Sequence, residues 1–518
     1  MRNRGKDNMK CSIYWTDMHS NIHHEQMDQL TAWFDHVKEV IDFWPIAYYP
    51  YFNQVYNDKL TVENLHEETE INKDWETIRT FTEKVNAEGF AMFMGYEWQG
   101  SGNDGDHNVF FKDNKQAMTF PLSYHELYEN YKKADAIAIP HHPAYQLNYR
   151  GKNWSTHIDA FSPFVEIYSS HGCSENDQIS LTMNRHIHMG PRTSKTSGQK
   201  GYDLGFRYGL IASGDNHHVP AIAKNGSMAC LAKSNSKEDL WDAMINRRVY
   251  GVSSERIQLD FTINDALMGS IINAVGLADV KLNVVGSNAI DRIELIADNR
   301  VIEVIGNISQ PIKKDVVRFK FKLECGWGPN RKFFPEYDTK IWDGKLSTNG
   351  KLISVERCFN SFNQKILKQN EKECVFHLET HKSAKDGGWM GVDGIETEGL
   401  IFEIESNIDD VIALELNDRN YGLKVSELLE DSCLYPLMDE VKELLDQRYQ
   451  LKDYYRKDAW WHNSYKFKTS QAAYDYEYQM SIRREIDVSQ FSNLRVRVWQ
   501  KNGCCAWSSP IFFNSKEQ

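Results

Sequence analysis

Asp215, Asn216, His217 and His218 close the run Leu210-Ile211-Ala212-Ser213-Gly214, so a carboxylate and two imidazoles directly follow a short apolar segment. A buried strand of an α/β protein delivers polar ligands at its C-terminal end in this way. Asp215 and His217 alternate, and on an extended chain both point to the same side. The pattern recurs upstream. Asp17, His19 and Asn21 alternate after Tyr14-Trp15-Thr16, and Glu97 ends the run Phe90 to Tyr96. His107 lies in the Gly- and Asp-rich loop that follows, His142 comes after Ala136 to Ile139, and His171 after Phe164 to Tyr168. Any one of these histidines alone reads as an ordinary buried or surface residue. Eight candidate ligands in one series (Asp17, His19, Glu97, His107, His142, His171, Asp215, His217) point instead to a shared metal centre. A carboxylate bridging two divalent ions, with His and Asp completing the shells, suits hydrolysis. Imidazole mixed with carboxylate suits Mn, Zn or Fe rather than Ca. Fifteen of the 18 histidines lie at or before His218, which assigns the chemistry to the first half.

A substrate anion would need a cationic clamp, for which arginine is the natural residue. Arg150, Arg185, Arg192 and Arg207 are the candidates, with Arg207 favoured because it shortly precedes the Asp215 run. Tyr49 reads either as a substrate contact or as a packed aromatic. Cys173 reads as a small buried thiol beside His171.

Length and composition bound the partners. A chain of 518 residues exceeds one ordinary core, so two to four domains are expected. The net charge of -13 argues against nucleic acid, whose phosphates call for a basic surface. No apolar run approaches about 18 residues, so no membrane span is expected. The basic start lacks the apolar segment of a secretory signal. Nine cysteines without a CxxC pair fit reduced thiols, hence a cytoplasmic protein. A small-molecule substrate is the expected partner, and oligomeric state is not legible.

The elements that must position these residues follow from periodicity. Helices are expected over Glu25 to Asp42, Asp74 to Ala87, Tyr124 to Lys133 and from the capping box at Ser236 to about Arg248. Strands alternate with them, which predicts a parallel sheet with crossover helices, closed or nearly closed into a barrel. After Glu255 the pattern changes to alternating apolar and polar residues, as in Arg256 to Asn264. Hairpins are expected around Asp298-Asn299 and Asn502-Gly503. The expected division is a hydrolase barrel over 1–255 and a β-rich domain over 256–518. Within the latter, about 313–486 carries no clear period apart from a helix at Leu437 to Tyr449.

Asp17-Met18-His19, Glu97, His142-Pro143, His171 and Asp215-Asn216-His217 resemble the PHP (polymerase and histidinol phosphatase) superfamily of metal-dependent phosphoesterases. Gly95-Tyr96-Glu97-Trp98, His107-Asn108-Val109, Ile139 to Pro143, Val165 to Gly172 and the terminal Val496 to Gln500 and Ala506 to Ile511 look like its DUF3604 branch. The resemblance implies a distorted (β/α)7 barrel followed by a mostly-β, sandwich-like region, with two divalent ions and a third possible. It implies that His19, Glu97 and Asp215 hold one ion, that Glu97 as bridge, His142 and His171 hold a second, and that His217 faces a third. Two departures stand out: Asn21 replaces an expected histidine, and Tyr48-Tyr49 an expected Asp-His, with His23 or His24 available to compensate. The implied function is a phosphoesterase acting on a small metabolite through a metal-activated water, His107 or His217 carrying the leaving-group proton. Alternatives are a non-phosphate hydrolase or lyase on the same site, or a binding protein with a degenerate site.

Overall fold

The apolar runs of the first half form buried strands. The computed structural model describes residues 11–56, 60–183, 189, 191–217, 224–307, 314–329, 334–335, 339–381, 397–450 and 458–514. Trp44–Tyr49 and Met92–Trp98 are buried at every position, as expected of strands covered on both faces. They join Ser20–His23, His107–Phe111 and Ala136–Pro140 in a five-stranded sheet. Its first three strands run parallel, His107–Phe111 runs against them, and Ala136–Pro140 pairs antiparallel to His107–Phe111. Phe164–Ser169 and Gly209–Ala212 pair in parallel within a separate three-stranded sheet. The helix Leu30–Val40 buries Leu30, Trp33, Val37 and Val40, and Glu68–Ala87 buries Ile71, Trp75, Ile78 and Val85. These helical stripes share one core with Trp44, Tyr48, Met94 and Tyr96.

The α/β class and the distorted (β/α)7 barrel are corrected by these elements. The chain is mostly β, and among the described residues no sheet closes on itself. The alternation of strand and helix fails after Trp98, where the loop 99–106 returns the chain antiparallel into His107–Phe111. It fails again over 141–163, which carries only the single turn Trp154–Thr156. Continuous apolar runs mark buried strands but not their direction, and direction was what the barrel required. An isolated bridge between Ser20 and Asn216 ties the two sheets, and Ala136–Pro140 also lies against Phe164–Ser169.

The second half is antiparallel. Ile290–Ala297 pairs with Arg300–Gly306 and Asn493–Gln500 with Cys505–Ser508, the two expected hairpins. All four strands belong to a nine-stranded sheet that also holds Ser12–Thr16, Ser227–Ala232 and Val249–Val252. Strands from both sides of residue 255 therefore share one hydrogen-bonded sheet, joined where Val249–Val252 pairs with Cys505–Ser508. The stretch without legible period holds most of two antiparallel sheets, of six and five strands, which share a core around Phe319, Trp342, Phe376 and Phe402. No described helix is long and apolar enough to cross a membrane.

One buried ionic knot ties the C-terminal hairpin to the first half. Glu175, four residues after His171, is 1% exposed. Its carboxylate accepts from Arg495 Nη2 at 2.9 Å, Arg497 Nη1 at 2.6 Å and Trp507 Nε1 at 2.8 Å. Removing one partner of such a knot strands the remaining charges in low dielectric, at a cost of roughly 3–5 kcal/mol. Glu175→Gln should therefore lower the denaturant midpoint markedly. A midpoint equal to the parent's would show that the knot carries no stability.

Candidate metal centre

Strand ends from both sheets converge. His19 directly precedes Ser20–His23, Glu97 is the penultimate residue of Met92–Trp98, and His141 and His142 follow Ala136–Pro140. His171 lies just beyond Phe164–Ser169, and Asp215 just beyond Gly209–Ala212. The bridge at Ser20 holds these ends together: Asn21 N donates to Asn216 O at 2.9 Å and Asn216 N to His19 O at 3.2 Å. The buried Asp17 carboxylate fastens the same seam, accepting from Gly214 N at 2.8 Å, His19 N at 2.9 Å and Ser20 Oγ at 3.0 Å. A Cβ on Gly214 would sit 1.9 Å from Asn216 Nδ2 and 2.4 Å from Asp17 Oδ2, so a larger residue before Asp215 would displace the side chains that fasten this seam.

Asp215 is the most shared acceptor. Its Oδ1 lies 3.5 Å from His19 Nε2 and 3.3 Å from His217 Nε2, and its Oδ2 3.0 Å from His171 Nε2. Glu97 is the second. Its Oε2 lies 3.4 Å from His19 Nε2 and accepts from Asn21 Nδ2 at 3.0 Å, while Oε1 lies 3.7 Å from His141 Nε2. Four buried triads each bring three donor atoms within 4.8 Å of one another: His19, Glu97 and His141; Asp106, His141 and His142; His142, His171 and Asp215; His19, Glu166 and Asp215.

The electrostatics of this cluster call for a cation. Burial pushes the His141 and His142 imidazoles well below their usual range, so both are neutral donors. Burial acts the same way on His19, but the Asp215 and Glu166 carboxylates outweigh it and hold the ring well above its ordinary value. Burial opposes ionisation of Asp215, yet His19 and His171 hold its carboxyl well below the usual range. Glu97 is lowered too, His19 overcoming the effect of burial. Both ring nitrogens of His141, and Asn21 Oδ1, His142 Nδ1, Asp106 Oδ1 and Glu166 Oε1, are buried without a hydrogen-bond partner among the described residues. An unmatched buried polar group costs about 1–3 kcal/mol, and six gathered at one seam fit a coordinated ion. The donor set of imidazole and carboxylate fits Mn, Zn or Fe.

Outer partners orient the ligands. His19 Nδ1 donates to Glu166 Oε2 at 3.0 Å, which leaves Nε2 facing Glu97 and Asp215. Tyr145 Oη lies 2.7 Å from His171 Nδ1, leaving Nε2 for Asp215. His142 and Asp215 adopt φ of +33° and +54°, left-handed backbone of the kind that concentrates at functional sites.

Not every expected residue faces this cluster. His217 does, with its Nδ1 2.9 Å from His23 Nε2, and its side chain is 14% exposed at the lip. Tyr49 meets the His217 ring edge to face and donates to Glu63, and its Oη accepts from Gln99 at 3.2 Å. Asn21 binds Glu97 as described. His107 is walled off: Nδ1 meets Gly105 O at 2.9 Å and Nε2 meets Lys152 Nζ at 3.1 Å. His24 turns away to Asp74. Arg207 lines a separate cavity of about 470 Å³ with Tyr202, Phe206, Phe512 and Asn514. Arg192 donates to the backbone carbonyls of Cys173, Leu181, Asp177 and Ile179. Of the three described arginines it is Arg150 that reaches the cluster, at 2.8 Å from Asp106 Oδ2; Arg185 and His218 lie outside the described residues. His141, Asp106 and Glu166 join the cluster without having been singled out as ligands from sequence.

Loss of an outer partner typically costs about 10–100-fold in metal affinity. Tyr145→Phe should therefore weaken divalent-ion binding by about tenfold or more in competition with a chromophoric chelator, with secondary structure retained. Unchanged affinity would remove Tyr145 from the ligand-orienting set.

No family model matches the chain. Over 207 residues it is 26% identical to a protein of unassigned function from Chlamydia trachomatis serovar D, covering 36% of this chain and 32% of that one. The chain thus spans about a third of that relative. A two-domain protein from Bacteroides vulgatus, described as containing a predicted PHP-like metal-dependent phosphoesterase, superposes with a TM-score of 0.31 at 11% identity. That superposition covers 82% of this chain and 99% of the other, and so loose a likeness carries no argument.

Proposed function

We propose that the chain is a metal-dependent hydrolase of the PHP type, a phosphoesterase acting on a small metabolite with two divalent ions bound. The observation that carries this is the convergence of Asp215 and Glu97 on a shared His19, with His141, His142, His171, Asp106 and Glu166 completing four buried triads. His19, Glu97, His141 and Asp215 would hold one ion, and Asp106, His142 and His171 would complete the shell of the other. Bound there, the ions lower the pKa of a water and neutralise charge developing on the leaving oxygen. The chain's own residues prepare for that chemistry. Glu166 and Tyr145 engage Nδ1 of His19 and His171, which leaves Nε2 of each ring facing the carboxylates. Asn21, through its amide, keeps Glu97 turned inward at 3.0 Å. His217, partly exposed and steadied by His23, is placed to hand a proton to the leaving group. Arg150 and Tyr49 both donate to Glu63 beside the cluster. Burial pushes the Tyr49 phenol well above its usual range, so it serves as a hydrogen-bond donor and not as an anion.

A non-phosphate hydrolase is the second reading. Its support is that Arg150 is already paired with Asp106 at 2.8 Å and Glu63 at 3.1 Å, so its charge is largely spent before a phosphate arrives.

Protein purified without chelator should hydrolyse members of a phosphomonoester and phosphodiester panel when Mn or Zn is supplied. Chelation should abolish turnover. Glu97→Gln removes one charge from the ion shell and should abolish turnover while the melting temperature holds. Near-normal turnover by Glu97→Gln would remove Glu97 from the shell, and metal-stimulated cleavage of carboxylic esters or amides alone would favour the second reading.

A further inference from the structure

Arg207 lines a cavity of about 470 Å³ that the central cluster does not use. The lining joins the two halves of the chain. Part comes from the segment 202–207, which runs out of the helix Gly198–Asp203, and part from 274–275, 488–493 and the strand Ile511–Phe513. Phe206, Phe491 and Phe512 give the cavity apolar surface, and Val275, 57% exposed, stands at its edge. Among the described residues that line it, Arg207 is the only charged one, in a chain whose net charge is -13. We propose that this cavity binds a small organic monocarboxylate with a flat apolar body, its carboxylate paired with Arg207.

Three features support the assignment. First, the guanidinium is positioned but not neutralised. Arg207 N donates to both carboxylate oxygens of Asp159 at 3.2 Å, and Nη1 donates to Asn514 Oδ1 at 3.1 Å. Asn514 is fixed in turn, its Nδ2 donating to Asn273 Oδ1 at 2.8 Å and its N to Ile272 O at 3.0 Å. Nε and Nη2 of Arg207 make no hydrogen bond, and its guanidinium no ion pair, among the described residues. That edge of the fork offers two parallel N–H groups, which a carboxylate accepts in bidentate fashion. Second, the charge selects a monoanion. One uncompensated cation matches one carboxylate, whereas a phosphate dianion would bring unmatched charge against apolar walls. Third, the size suits a body of two fused rings. Ligand cavities run from about 300 to 1,000 Å³, and a dry cavity of about 150 Å³ already takes one benzene ring.

Arg207 stands two residues before the strand Gly209–Ala212, and Asp215 lies just beyond the other end of that strand. Four strand residues alone span roughly 13 Å. A molecule bound at Arg207 is therefore no substrate of the central cluster. It would instead tie the segment 202–207 to Asn493–Gln500 and Ile511–Phe513, and so brace the two halves where they meet.

The test titrates the full chain into 6-fluoro-2-naphthoate and follows the fluorine resonance by NMR. The parent should bind this probe saturably, and the neutral 6-fluoro-2-naphthamide at least tenfold more weakly. Arg207→Gln should weaken naphthoate binding at least tenfold. Val275→Glu adds a like charge at an exposed position of the lining; it should weaken binding too, and keeps the comparison valid if the arginine variant misfolds. Glu97→Gln, which alters the central cluster, should bind the probe as the parent does, so the result stands apart from the hydrolase reading. Inorganic phosphate at the probe's own concentration should not displace it. No saturable binding by the parent, or equal affinity in the parent, Arg207→Gln and Val275→Glu, would overturn the site. Binding weakened by Glu97→Gln and not by Arg207→Gln would also overturn it, because the probe would then sit at the central cluster. Equal binding of the naphthamide, or displacement by phosphate, would overturn the choice of a monocarboxylate.

Discussion

Three imidazoles share the Asp215 carboxylate, and the rest of the molecule is arranged so that this can happen out of water. Asp215, His19 and His171 are each at most 5% exposed. Ionised groups so deep are tolerated only when paired or when they coordinate metal. Pairing alone leaves the seam short of satisfaction, since both His141 nitrogens and oxygens of Asn21, Asp106 and Glu166 go unmatched among the described residues. A bound cation resolves the excess of acceptors and neutral donors together. The cluster therefore sits at the seam between two sheets, where Ser20 bridges Asn216, and not at the mouth of a closed barrel.

Precision at that seam is held from far along the chain. Asp17 binds the backbone of Gly214, so the first and last ligand-bearing segments move as one. The segment leaving His171 is gripped at Glu175 by Arg495, Arg497 and Trp507, more than 300 residues downstream. Trp507 also stacks on Tyr168 at 5.6 Å, directly beneath the same segment. Ligand geometry and the C-terminal hairpin are thus mechanically one unit, which explains why strands from both halves share a sheet. Ligands held this way lose little freedom on binding an ion, the usual benefit of preorganisation.

Much of the buried cluster was legible because several of its members follow an apolar run, and burial of the run fixes where its end must lie. Asp215, Glu97 and His171 are of this kind. Residues next to or inside such runs were harder. Asp106 and His107 are neighbours at a strand start, and adjacent side chains point to opposite sides. The one singled out, His107, faces Lys152 and Tyr124, while Asp106 turns to the cluster. His141 was hidden by His142 beside it, and Glu166 by its place within a buried strand, where a lone acid carries no spacing signal. The fold class was misread for a related reason. Strand positions follow from hydrophobic runs, whereas strand direction depends on what the connections do, and 99–106 and 141–163 lack the helices that parallel order needs. Over 313–486 the strands pair across long sequence separations, Val316–Trp327 with Glu398–Asn407 for example, so local periodicity could not assemble them.

The central claim is that the Asp215–Glu97 cluster holds divalent metal, and crystals of protein purified without chelator test it most directly. Anomalous diffraction collected above and below the Mn, Fe and Zn absorption edges should place two peaks, one bounded by His19, Glu97, His141 and Asp215 and the other by Asp106, His142 and His171. Crystals that show no anomalous peak in this cluster after soaking in each of the three metals, with the side chains held as described, would contradict the account.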